Sequence, residues 1–238
     1  MKFPSLRIFL FLLILLIAHN LQAQRNLETQ VEKRNLSGFS EILVKGSSNV
    51  YLTQGNTFEV TIEASEGLIS KIITAQNGNL LLIDTDNIKM LRKGEFHKVY
   101  VTLPKLEDIK VLGAADVFGQ NTFKGSNMKI EVKGAGDLRL EVSVQNLTCD
   151  VSGAGDADLS GSTQSLNAKV SGAGDLKAYN LDVQKADISV HGSGDAFVTI
   201  QQEMSANIGG SGDLHYKGAA NIKNINVSGS GDIHHKGN

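Results

Sequence analysis

From residue 109 onward, apolar and polar residues alternate with period two on both sides of a recurring glycine-rich break. Align the copies on the residue that closes each break: Asn49, Asp116, Asp137, Asp156, Asp175, Asp195, Asp213 and Asp232. Five residues earlier stand Val44, Val111, Val132, Val151, Val170, Val190, Ile208 and Val227. Seven earlier stand Ile42, Ile109, Ile130, Cys149, Ala168, Ile188, Ala206 and Ile225. One later stand Val50, Val117, Leu138, Ala157, Leu176, Ala196, Leu214 and Ile233. The interleaved column is polar: Lys110, Glu131, Asp150, Lys169, Ser189, Asn207 and Asn226. Such alternation predicts strand, corner, strand, with one face buried.

From Asp116 on, the closing residues are 21, 19, 19, 20, 18 and 19 positions apart. A repeat of that length is too short for two parallel strands joined by a helix. It fits one coil of a β-solenoid with a perimeter of about 60 Å. The segments "EVSVQN" and "NLDVQK" alternate too and predict a third short side. No single coil buries enough to fold alone, so the core must come from stacking.

Residues 53–108 interrupt the pattern. "TFEVTIEA", "NLLLIDTD" and "KVYVTLP" read as strands, Asn77-Gly78 as a hairpin turn and "EGLISKI" as a short helix. We expect this stretch to cover the first coil, whose edge would otherwise stand open. The sequence thus divides into a signal peptide over 1–23, a leader over 24–35 and one solenoid domain over 36–238. Within that domain, 53–108 is the elaboration and 109–238 the regular coils. The last corner, "DIHHKGN", carries no evident cap, so pairing with a second copy through the last coil is expected.

The first 23 residues change the picture of where the protein works. Lys2 and Arg7 precede the apolar run Ile8–Ala18, and "LQA" ending at Ala23 reads as a cleavage site. An exported protein of the periplasm or cell surface is expected, with no stable membrane insertion after cleavage. Its removal leaves 21 basic against 25 acidic residues. That balance argues against nucleic acid as a partner. The lone Cys149 falls in an inward column and reads as a buried hydrophobe.

Which residues could carry chemistry? The paired glycines Gly134 and Gly136, Gly153 and Gly155, Gly172 and Gly174, Gly192 and Gly194, Gly210 and Gly212, and Gly229 and Gly231 read as structural corners. Their freedom to take left-handed torsions is the expected reason. Stacked at about 4.8 Å, Asp137, Asp156, Asp175, Asp195, Asp213 and Asp232 form a carboxylate ladder. Backbone N–H donors within each turn would satisfy it. Calcium is the alternative, though one Asp per coil barely supplies six oxygens. The column two residues after the Asp faces outward: Phe118, Arg139, Asp158, Lys177, Phe197, His215 and His234. His215, His234 and His235 come near one another and, with Asp213 or Asp232, would offer metal ligands; surface histidines are the plainer reading. No metal, cofactor or catalytic residue is assigned. There is no Gly-x-Ser-x-Gly elbow, His-Glu-x-x-His or Walker loop, and the Gly-x-Gly pairs lack a following helix.

The reiterated "GAGD" and "GSGD" corners, the segment "VYVTLPKLEDIKVLGAADV" and the exported N-terminus together resemble the head GIN domain family of auto-transporter adhesins. The resemblance covers about residues 36–235. It implies an all-β fold, a right-handed single-stranded parallel β-helix, and adhesion or surface binding without catalytic residues. The expected partner is a glycan or an envelope or host surface protein. A carbohydrate-active enzyme and an architectural scaffold are the alternatives. "GAAD" and "GSSN" depart from the repeat, which weakens the idea of a required cation ladder.

Overall fold

The computed structural model describes residues 28–237, so residues 1–23, read as a signal peptide, lie outside the described residues. The strands are β1 (Thr29–Arg34), β2 (Glu41–Gly46), β3 (Asn49–Gln54), β4 (Glu59–Ser65), β5 (Ile73–Asn77), β6 (Leu80–Asp84), β7 (His97–Leu103) and β8 (Asp108–Gly113). They continue as β9 (Asp116–Val132), β10 (Leu138–Val151), β11 (Ala157–Val170), β12 (Leu176–Val190), β13 (Ala196–Ile208), β14 (Leu214–Lys217), β15 (Asn221–Val227) and β16 (Ile233–His235). All belong to one wrapped sheet. "EGLISKI" forms only one turn of 3₁₀ helix, Ile69–Lys71.

The chain is a β-solenoid of about seven turns. Successive long strands pair in parallel, with Leu138 beside Ala157, Leu147 beside Leu166 and Val151 beside Val170. Register therefore repeats the sequence columns: Val44 pairs Val111, Val111 pairs Val132 and Val190 pairs Ile208. These columns fill the interior. Val44, Val111, Val132, Val151, Val170, Val190 and Ile208 are all buried. Cys149 lies among them, and desolvation, with Asp150 nearby, pushes its thiol up to about 12. It is a packing residue.

Corners differ from expectation in one respect. None of the corner glycines from Gly134 to Gly231 has left-handed torsions. They are glycines because successive corners nearly touch. A Cβ on Gly155 would run into the carbonyl oxygen of Gly136, and one on Gly174 into that of Gly155. The same holds along both glycine columns. Left-handed glycines do occur at the two N-terminal corners, Gly46 (φ 89°) and Gly113 (φ 105°). Those are the corners that carry Ser48 and Ala115 in place of the second glycine.

The insertion builds a further layer beneath the first coil. β6 lies parallel to β2, with Leu81 beside Ile42 and Ile83 beside Val44. β7 lies parallel to β3, with Val99 beside Val50. Antiparallel strands then close this layer: β5 on β6 through the Asn77-Gly78 hairpin, and β4 on β7. Residues 29–34, within the stretch expected to be a leader, form β1 and pair with the free edge of β4. An unpaired strand edge recruits any extended neighbour. The other end is unlike this: all of β15 is exposed, including Ile222, Ile225 and Val227.

Candidate functional site

The corner aspartates do not bond within their own turns. The N–H groups of Asp137, Asp156, Asp175, Asp195, Asp213 and Asp232 donate to Oδ1 of the corner aspartate one coil earlier. The distances are 3.0, 2.9, 2.8, 2.9, 2.7 and 2.8 Å. A second bond runs the other way, as from the N–H of Ala157 to the carbonyl of Asp175 at 2.9 Å. Stacked carboxylates at about 4.8 Å repel by roughly 0.9 kcal/mol in water. At an effective dielectric of 20 the repulsion is about 3.5 kcal/mol, and a hydrogen bond to a charged group, contributing about 1.5–3 kcal/mol, offsets much of it. The expected turn chemistry is thus replaced by links between coils. Parallel stacking places the next Asp N–H, not a local one, over the carboxylate.

With Oδ1 taken, Oδ2 of a corner carboxylate is free for the outward surface, where a row residue of the following coil can meet it. Lys177 pairs with Asp156 Oδ2. Partial burial alone would raise the Asp156 carboxyl, but Lys177 and the Asp175 N–H outweigh it and hold it below the ordinary range. Arg139 Nε pairs with Asp158 Oδ2 at 3.0 Å. Asp116, Phe118, Asp137, Leu138, Arg139, Asp156, Asp158 and Lys177 line a depression of about 340 Å³.

The outward row is longer than the repeat alone shows. Tyr51 pairs Phe118, and Tyr100 pairs Tyr51. Their rings stack, with centroids 5.1 Å apart for the tyrosines and 5.4 Å for Tyr51 and Phe118. Tyr51 follows the Asn49 corner at the same offset as the other members, so the column itself points to it. Tyr100 comes from the inserted layer, which has no corner phrase, and no repeat signal marks it. Its hydroxyl donates to Glu63 at 2.8 Å, and burial followed by Glu63 raises its pKa to about 12. The Arg139 guanidinium lies 6.0 Å from the Phe118 ring centroid, joining the aromatic strip to the charged depression.

At the far end of the row, Phe197, His215 and His234 stack with centroids 4.9 and 4.8 Å apart. Asp213 faces both imidazoles. His235 is directed elsewhere: its ring stacks on Tyr216 at 4.6 Å, and Nε2 lies 3.2 Å from the Gly218 carbonyl. Strand alternation separates the adjacent histidines.

A family model described as "Putative auto-transporter adhesin, head GIN domain" matches residues 38–220. The chain belongs to the head GIN domain family. No curated protein sequence matches it. Among solved structures of this fold, a "putative adhesin" from Bacteroides fragilis is 27% identical. The match spans 88% of this chain and 97% of that one, with a TM-score of 0.83. A "putative lipid binding protein" from Parabacteroides distasonis is 23% identical, spans 89% and 98%, and has a TM-score of 0.69. A "putative adhesin" from the same organism is 18% identical, with coverage of 89% and 98% and a TM-score of 0.71. These two share the fold. The head GIN family and the Bacteroides structure carry an adhesin's description, not an enzyme's. Among the described residues, no helix of this head GIN chain is long and apolar enough to cross a membrane.

Proposed function

We propose that the chain is an exported, non-catalytic adhesion module that holds a glycan along its outward row. The observation that carries this reading is the continuous strip of Tyr100, Tyr51 and Phe118 running into the depression around Arg139, Asp158 and Lys177. Stacked on one another, the rings form a partly exposed aromatic ridge. Beside the ridge, carboxylates accept and a guanidinium and an ammonium donate. Sugars present the matching pattern of C–H patches rimmed by hydroxyls. Six of the eight residues lining the depression are ionisable, which suits hydroxyl groups better than an acyl chain.

A glycan array probed with the mature chain tests the proposal. We expect a saturable hit that Tyr51→Ala and Arg139→Ala each weaken while the fold persists. An array without saturable binding, or a hit indifferent to both substitutions, overturns it.

A further inference from the structure

At Asp213, the corner of the sixth regular coil, two imidazoles meet the free oxygen. At Asp156 the free corner oxygen is met by Lys177. At Asp213, two neutral-capable nitrogen donors arrive in place of a permanent cation. His234 Nε2 lies 3.3 Å from Asp213 Oδ2 and His215 Nε2 lies 4.0 Å from the same atom. The ligand atoms of all three residues fall within 4.8 Å of one another. We propose that Asp213, His215 and His234 form a binding site for a divalent first-row transition cation, zinc by preference.

The geometry supports this step by step. Zinc bonds histidine nitrogen at about 2.0–2.1 Å and carboxylate oxygen at about 2.0–2.2 Å. An ion can therefore sit between His234 Nε2 and Asp213 Oδ2 at their present separation. His215, 4.0 Å from the same oxygen, has to turn out of its stack with Phe197 and His234 to bring its nitrogen onto the ion.

Positioning is built in from behind. Oδ1 of Asp213 accepts the Asp232 N–H at 2.8 Å, which fixes the carboxylate and turns Oδ2 outward. Hydrogen bonds of that kind orient metal ligands. Two imidazoles and one carboxylate are donors for zinc rather than calcium, which takes six or more oxygens. With three protein ligands, and His234 half exposed, the remaining coordination positions face solvent. Water or a donor from a bound molecule would fill them.

The test is a calorimetric titration of the tag-free mature chain with zinc chloride, with cobalt(II) absorption reporting coordination. We expect one equivalent of zinc bound and a visible cobalt band. His234→Gln and His215→Gln should each weaken zinc by roughly 10–100-fold, while His235→Gln leaves the affinity unchanged. Circular dichroism without metal checks that each variant is folded; His234, being exposed at the row's end, is the variant least able to disturb packing. The absence of saturable zinc uptake overturns the proposal, as does uptake unaffected by His234→Gln. Equal binding of calcium overturns it too.

Discussion

At each corner, a coil meets its neighbours through backbone atoms: glycine beneath glycine, and an aspartate carboxylate over the next aspartate N–H. Two residues later the coils are joined by the strand ladder, and there the outward side chains of Arg139, Asp158, Lys177, Phe197 and His215 succeed one another without repetition. A backbone contact leaves no room for variety, because any added atom falls on main chain that cannot move without moving a coil. A side chain on the outer face answers only to its neighbours in the row. The solenoid therefore separates what holds it together from what it shows to a ligand, at a distance of two residues.

The largest break in this contrast should come from Gly174→Val. Its side chain would be driven into the Gly155 carbonyl, a clash beyond the roughly 1–3 kcal/mol of ordinary overpacking. We expect no cooperative thermal transition by circular dichroism; a melting curve like the wild type would refute the close-approach account. Ala115→Gly, at a corner of the other geometry, should cost about 1 kcal/mol or less. Next in size is Asp175→Ala, which strands the Asp195 N–H at a half-buried corner and should cost about 1–3 kcal/mol. Asp175→Asn keeps an acceptor oxygen there and should stay under about 1 kcal/mol. Equal losses for both variants would point to a charge requirement.

Acid offers a probe at a third place, the polar column between the corner and the core. Burial would raise the Glu131 carboxyl, but Lys133 and Lys129, with Lys110, overcome it and bring it from the ordinary 4.5 to about 2. A lowered folded-state value means its stabilisation is complete above pH 4.5 and is lost as pH falls towards 2. Melting temperature followed from pH 6 to 2 should decline less steeply in Glu131→Gln than in the wild type. Parallel curves would remove Glu131 from the account of acid sensitivity. The smallest stability change is expected at Arg139→Ala, whose exposed ion pair contributes about 0–1 kcal/mol. A substantial loss of stability there would show that the row is structural after all.

The inward columns were legible because period two and a fixed repeat leave few arrangements. Ile42, Val44 and Val50 announce the first coil even though 53–108 separates it from the second. The proximity of His215 and His234 followed from the same register; Tyr51, two residues after Asn49, stands at the row's offset and was missed. What the chain hid were relations lying across the stack. A run such as "SGAGD" shows turn-forming residues, and both the glycines and the aspartate have local reasons to be there. Only the stacked coils reveal that the glycines answer to a carbonyl about 19 residues away, and the aspartate to an N–H just as distant. Strand β1 was hidden for a different cause: its residues are mostly exposed, so no apolar pattern marks it.

Consider once more the carboxylate that reaches forward to the next N–H. Because every junction from Asp116 to Asp232 is made with the same two groups, a coil carries no mark of its place in the order. One unit could be copied or excised between corresponding residues and its neighbours would still find the partners they need. Length in this molecule is then a count, raised or lowered by about 4.8 Å per unit. Each new copy would bring a blank row position on which a different ligand preference could be written.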